Sequence, residues 1–143
     1  MILYPDTSAL VKKYVQEQQS TAVINAMDSY DALAISSVGY AEAMASFHRK
    51  LREKLYAPHQ LHAKMREFKK DRQTFIVINP TSRLNAVIDE VLSKYALRGF
   101  DALHLSSALL LKRHLKEDTA FACFDSVLNR AARCEGFAIV SSE

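Results

Sequence analysis

Five short apolar runs are set along this chain, and each is separated from the next by enough residues for one or two helices. They are Ile2 to Pro5, Ala32 to Ser36, Phe75 to Ile78, Phe121 to Phe124 and Phe137 to Val140. Runs this short, apolar on consecutive residues, read as strands buried on both faces. Between them the periodicity changes to that of helices. Helices are expected from Thr7 to Gln16, capped by Thr7 or Ser8, and from Ser20 to Ser29, with Ala22, Val23, Ala26 and Met27 facing inward. A longer one should start at Ser36 or Ser37 and run to Lys54, and another should run from Pro58, suited to a first turn, to Lys70. Asn79-Pro80 stops the third strand, and Thr81 or Ser82 then caps a helix to Ala96. Further helices are expected from Asp101 to Leu115 and from Ser126 to Arg133, the last stopped by Gly136. Strands alternating with helices define an α/β fold with a five-stranded parallel sheet covered on both sides. In such sheets, ligands bind beyond the carboxyl ends of the strands.

The length of 143 residues suits a single domain spanning 1–143, large enough to bury a core. Only 3 Gly and 3 Pro leave little room for linkers, and no repeat of solenoid type is visible. No apolar stretch is long enough to cross a membrane. The amino terminus reaches Asp6 without a basic or apolar leader, so no secretory signal is expected. Cytoplasmic localisation follows, with Cys123 and Cys134 as reduced thiols.

Against this apolar frame, four acids stand out. Asp6 ends the first strand, Asp125 follows the fourth, Asp101 opens a helix, and Glu42 lies about one turn inside another. A charge beside core residues costs folding energy unless it is paired or binds a cation. None of the four has an obvious basic partner beside it in sequence. Four carboxylates at one sheet edge suggest oxygen ligands for Mg²⁺ or Mn²⁺. Each has a simpler reading taken singly: Asp6, Asp101 or Asp125 as a helix cap, Glu42 as the partner of a distant arginine. His104, three residues after Asp101 and on the same helix face, is expected to be a packed, hydrogen-bonded histidine. Cys123 is expected on the same side of its strand as Asp125, as a buried small residue.

The charge distribution fits an anionic partner. With the four acids set aside, 19 basic residues face 12 acidic ones, an excess of about +7. Between Arg49 and Arg72, nine cations (Arg49, Lys50, Arg52, Lys54, Lys64, Arg66, Lys69, Lys70 and Arg72) face Glu53, Glu67 and Asp71. Such an excess can attract a polyanion; interleaved opposite charges on a solvated helix pair are the plainer alternative.

The segments carrying the acids also resemble the motifs of one family. Ile2 to Val11, Ser36 to Glu42, Leu97 to Ser106 and Phe124 to Ala132 each resemble a motif of the PIN-domain ribonucleases, with the toxins of VapBC toxin–antitoxin pairs as the nearest group. Leu97-Arg98-Gly99-Phe100-Asp101-Ala102-Leu103-His104 is the most specific of them. The resemblance implies a three-layer α/β/α PIN-like fold in which Asp6, Glu42, Asp101 and Asp125 are catalytic and bind Mg²⁺ or Mn²⁺. Ser8 would be a hydroxyl near the metal or its water. It also implies neutralisation by a small antitoxin that wraps the toxin, and a homodimer. Two features depart from the pattern. Cys123 stands where Thr or Ser is usual, two residues before the fourth acid, and Pro5 ends an inner strand, where it removes a ladder donor.

The chemistry implied is hydrolysis of a phosphodiester by a metal-dependent endoribonuclease acting on single-stranded or looped RNA. Divalent cations would neutralise the phosphate and acidify a water, and unpaired RNA leaves its backbone accessible. An aspartyl-phosphate hydrolase would want an acid two positions after Asp6, where Ser8 stands. A phospho-receiver would want an Asp after the third strand, where Asn79 stands. The remaining alternative is a PIN-like module that binds RNA or protein with weak catalysis.

Overall fold

The structure is a computed structural model that describes residues 1–140. In chain order its elements are β1 (Ile2–Pro5), α1 (Thr7–Tyr14), α2 (Ser20–Ser29), β2 (Ala32–Ser36), α3 (Val38–Glu53) and α4 (Pro58–Arg72). There follow β3 (Ile76–Ile78), α5 (Ser82–Lys94), α6 (Gly99–Leu115), β4 (Thr119–Ala122), α7 (Ser126–Cys134) and β5 (Ala138–Val140). The strands form one sheet in the order β3-β2-β1-β4-β5, and every pairing is parallel.

Side chains alternate between the two faces of the sheet, and each face has its own core. Ile2, Tyr4, Ala34, Phe121 and Cys123 pack with Val87 and Val91 of α5, Leu105 and Leu109 of α6, and Leu128 of α7. Leu3, Leu33, Ile35, Ala120 and Ala122 pack on the other side with Leu10, Val23, Phe47 and Phe68, one each from α1 to α4. This is the expected three-layer α/β/α arrangement, and it follows from strands that are apolar in both directions. The second layer is fastened by aromatic contacts: Phe68 meets Tyr14 and Phe47 edge to face at 5.5 and 5.6 Å.

The topology places the site. The central strand β1 is followed by a turn outward to β2 and β3, and the chain then returns to β4 on the opposite side of β1. The strand order therefore reverses at β1, and a crevice opens beyond the carboxyl ends there. The backbone N–H of Asp6 donates to the carbonyl of Ala122 at 2.9 Å, which ties the ends of β1 and β4 together.

Several boundaries differ from the sequence expectation. Helix α1 ends at Tyr14 and is capped by Asp6, whose side chain accepts from the Ala9 N–H; neither Thr7 nor Ser8 caps it. Strand β4 lies two residues earlier than expected. Asn129 donates to the Cys123 carbonyl at 3.0 Å, so that peptide is bonded to α7 and not to a ladder. Cys123 and Phe124 lie beyond the strand, so the expected same-side relation of Cys123 and Asp125 does not apply: Cys123 is buried and Asp125 exposed. Helix α6 starts at Gly99, with Arg98 as its N-cap residue, so Asp101 lies within the first turn and does not cap the helix. Pro5 is accommodated at the last position of β1.

Candidate functional site

Asp6 is the most enclosed of the four acids, only 7% exposed. The Ser8 hydroxyl and the Ala9 N–H both donate to its Oδ1 at 2.9 Å. Oδ2 takes no part in these bonds, and among the described residues no cationic side chain forms an ion pair with Asp6. Burial pushes this carboxyl above its usual range. The Ala9 and Ser8 bonds and His104 oppose the rise, while the charge of Asp101 adds to it.

Glu42 is half-buried on α3 and held from two sides. Thr7 Oγ1 donates to Oε1 at 2.8 Å, and His104 Nε2 lies 2.7 Å from the same oxygen. Burial would raise this carboxyl, but the bonds from His104 and Thr7 outweigh it and hold it below the usual range. The partner of Glu42 is thus a histidine and not the distant arginine that was its simpler reading.

His104 is itself buried, with Nδ1 2.9 Å from the Tyr4 hydroxyl. That hydroxyl accepts from the Ser36 N–H at 3.1 Å, which leaves its own proton free to point at Nδ1. With that proton directed at Nδ1, Nε2 faces Glu42 as a donor. A chain of hydrogen bonds therefore runs from β2 through Tyr4 and His104 to Glu42. His104 is the packed, hydrogen-bonded histidine expected, and it positions an acid as well.

Asp101 does have a basic neighbour. Arg98 Nε stands 3.0 Å from its Oδ2, in a pair whose arginine is 81% exposed. The expectation that all four acids lack a partner in nearby sequence fails here, and the i,i+3 spacing was visible in the chain. An exposed pair of this kind is screened by solvent and exchanges easily for another partner. Asp125 caps α7, accepting from the Leu128 N–H at 2.9 Å through Oδ1. Capping occupies one oxygen of Asp6 and of Asp125, so it does not compete with a role for the other.

Asp6 and Asp101 feel one another through space, and Asp125 shares with them an influence on one thiol. Asp101 raises Asp6. The Cys123 thiol is pushed up to about 12, first by burial and then by Asp6; the bond to the Asp125 backbone opposes the rise, and the charges of Asp125 and Asp101 add to it. Its Sγ–H donates to Asn129 Oδ1 at 2.9 Å, so Cys123 acts as a packed bridge to α7. Glu42 is connected to this group through His104, whose charge would lower both Glu42 and Asp6. Among the described residues, no three His, Cys, Asp or Glu side chains stand together as a ready cage for a metal ion. The donor chemistry nonetheless fits a hard divalent cation. The acids supply only oxygens, and the most buried one has no counter-charge paired with it among the described residues. Thr7, Tyr4 and Arg98 are the residues that the sequence reading missed. All three lie inside the motif segments, but the contacts of Tyr4 and Thr7 with residues far along the chain could be found only from the fold.

Residues 3–133 match the family model of the PIN domain, and the chain belongs to the PIN-domain family. Among solved structures it is similar to FitAcB from Neisseria gonorrhoeae, at 16% identity and a TM-score of 0.70, with 99% of this chain and 97% of that one covered. It is also similar to VapBC2 from Rickettsia felis bound to a DNA fragment from their promoter, at 14% identity and a TM-score of 0.65, with 97% of each chain covered. A toxin–antitoxin complex from Klebsiella pneumoniae is a third likeness, at 16% identity and a TM-score of 0.64, with 88% of each covered. At these identities the likeness is one of fold. No curated protein sequence matches this chain. Among the described residues, no helix is long and apolar enough to cross a membrane.

Proposed function

We propose that this protein is a metal-dependent endoribonuclease, one domain over residues 1–143, that cleaves single-stranded or looped RNA. PIN domains are typically nucleases. The observation that carries the reading is Asp6, a buried carboxylate with no paired cation among the described residues, standing within the field of Asp101 at the edge where the strand order reverses. Asp6, Glu42, Asp101 and Asp125 would hold Mg²⁺ or Mn²⁺. When bound, the ion supplies charge neutralisation at the scissile phosphate and makes a water more acidic. The chain's own residues prepare that chemistry. Thr7 and His104 fix Oε1 of Glu42, Ser8 holds Oδ1 of Asp6, and Asp101 is freed as Arg98 turns to solvent or to the phosphate.

The same reading makes the protein the toxin of a toxin–antitoxin pair. It would act in the cytoplasm as a homodimer and be neutralised by a small antitoxin. Support comes from a neighbour of the same fold that is itself described as a toxin–antitoxin complex. The test is incubation of total RNA with the protein in Mg²⁺ or Mn²⁺, then in EDTA, with the new ends mapped. Cleavage that needs the ion and is lost in Asp6→Asn supports the reading. RNA left intact with either ion, or cut equally by Asp6→Asn, overturns it. A second reading, an RNA- or protein-binding module with weak catalysis, draws on the lack of a ready cage among the described residues and on Cys123. Binding without cleavage would favour it.

A further inference from the structure

A groove of about 390 Å³ leads away from the acids between α1 and α3. Thr7, Ser8 and Glu42 line one end of it, and Lys12, Arg49 and Lys50 line the other. Both helices begin at the carboxyl edge of the sheet and run back from it. Lys12 therefore lies roughly 6 Å beyond Ser8, and Lys50 roughly 12 Å beyond Glu42, along their helix axes. That span is a few nucleotides of a single strand.

The two lysines are built into the groove. Their side chains are only 13% and 15% exposed, and both reach the same carboxylate: Lys12 meets Glu17 Oε2 at 3.2 Å and Lys50 meets Oε1 at 2.8 Å. Burial would raise Glu17, but the two ammonium bonds outweigh it and hold the carboxyl below its usual range. One lysine would suffice to neutralise Glu17. With two, and with Arg49 reaching Glu53 only at 4.0 Å, the far end of the groove keeps an excess of positive charge. Each ammonium has three donors and spends one on Glu17. Lys12 Nζ also stands 5.5 Å over the ring of Phe124, the residue before Asp125, so this cation leans back toward the acids.

We propose that Lys12, Lys50 and Arg49 form a phosphate subsite that seats the RNA backbone a few nucleotides from the scissile position. The proposal rests on RNA being the substrate, and it separates these three cations from those on α4. Glu17 is the template anion that holds both ammoniums at the groove until the phosphates of the strand take its place.

The test is fluorescence anisotropy with a labelled 12-nucleotide single-stranded RNA, in EDTA so that the probe is not cut, over a range of salt. The Lys12→Gln/Lys50→Gln double variant should bind about tenfold more weakly or worse. Its slope of log K against log salt should fall by about 1.4, two contacts at roughly 0.7 each for a single strand. Lys12→Arg/Lys50→Arg should bind like wild type. Glu17→Gln removes the template anion and keeps both cations, so it should bind at least as tightly as wild type, with a lower melting temperature. A double variant with wild-type affinity and slope overturns the subsite. So does a Glu17→Gln variant that loses as much affinity as the double variant, because the lysines would then serve only the ion-pair network. Metal-dependent cleavage by the wild type is scored separately. A protein that binds through this groove and never cuts overturns the nuclease reading and leaves the subsite standing.

Discussion

Replacing Asp6 by Asn separates the two jobs that this residue does. Its Oδ1 caps α1 through the Ala9 N–H and accepts from Ser8, and an amide oxygen can do the same. Loss of that cap would cost about 1 kcal/mol, so Asp6→Ala serves as the control that removes it. The charge is another matter. Burial and Asp101 hold the folded carboxyl above its unfolded value, so stability from this group is present below the unfolded pKa and is lost as pH rises through the folded value. Above the folded value the metal-free protein carries the whole penalty. Two carboxylates about 6 Å apart, at an effective dielectric near 20, repel by roughly 3 kcal/mol before relaxation. Weakening of the Ser8 bond and imperfect placement of the amide N–H offset part of that gain. About 1 kcal/mol should survive, a rise of roughly 3 °C for a chain of this size. In EDTA at pH 7.5, Asp6→Asn should melt at or above the wild type, and Asp6→Ala below it. Added Mn²⁺ should raise the wild type more than Asp6→Asn, because binding to the folded state stabilises it. An Asp6→Asn protein that melts well below the wild type in EDTA, with an equal Mn²⁺ shift in both, would show that Asp6 is only a helix cap.

The buried Cys123 and the exposed Cys134 should be told apart by a thiol reagent. At pH 8 only one thiol per native chain should react quickly, since burial and nearby acids push Cys123 up to about 12, and two should react in denaturant. Gly136 adopts φ +88°, and a Cβ there would meet Lys112 Nζ at 3.0 Å; Gly136→Ala should lower stability by about 1 kcal/mol in a denaturant titration. At position 104, Gln can place an amide N–H near where Nε2 stands and keep Glu42 paired. His104→Leu leaves Glu42 and Tyr4 without that partner and should cost about 2–3 kcal/mol more than His104→Gln in the same titration.

Much of the fold was legible because parallel strands carry their signature in one short window. Ile2 to Pro5 and Ala32 to Ser36 match the observed strands residue for residue. Where the reading slipped, a side chain from elsewhere had claimed the backbone. Cys123 and Phe124 are as apolar as a strand requires, but Asn129 bonds the Cys123 carbonyl and ends β4 at Ala122. The capping roles of Asp6 and Asp125 were legible as an alternative to a site role; the structure shows that each uses one oxygen, so the alternative was not exclusive. The environment of Glu42 was out of reach, since Thr7 and His104 meet it across 35 and 62 residues of chain. Only the assembled sheet brings those three helices together.

In the reading proposed above, four acids from four parts of the chain hold one kind of ion. Titration of the apo protein with Mn²⁺, followed by calorimetry or by the electron paramagnetic resonance of the free ion, tests it without reference to any RNA. The wild type should bind Mn²⁺ saturably. Asp6→Asn, Glu42→Gln, Asp101→Asn and Asp125→Asn should each weaken binding. The loss should be largest for Asp6→Asn, at about tenfold or more (roughly 1.4 kcal/mol), and smallest for the exposed, helix-capping Asp125. A wild type that shows no saturable binding, or four variants that bind as the wild type does, would rule out a shared carboxylate site.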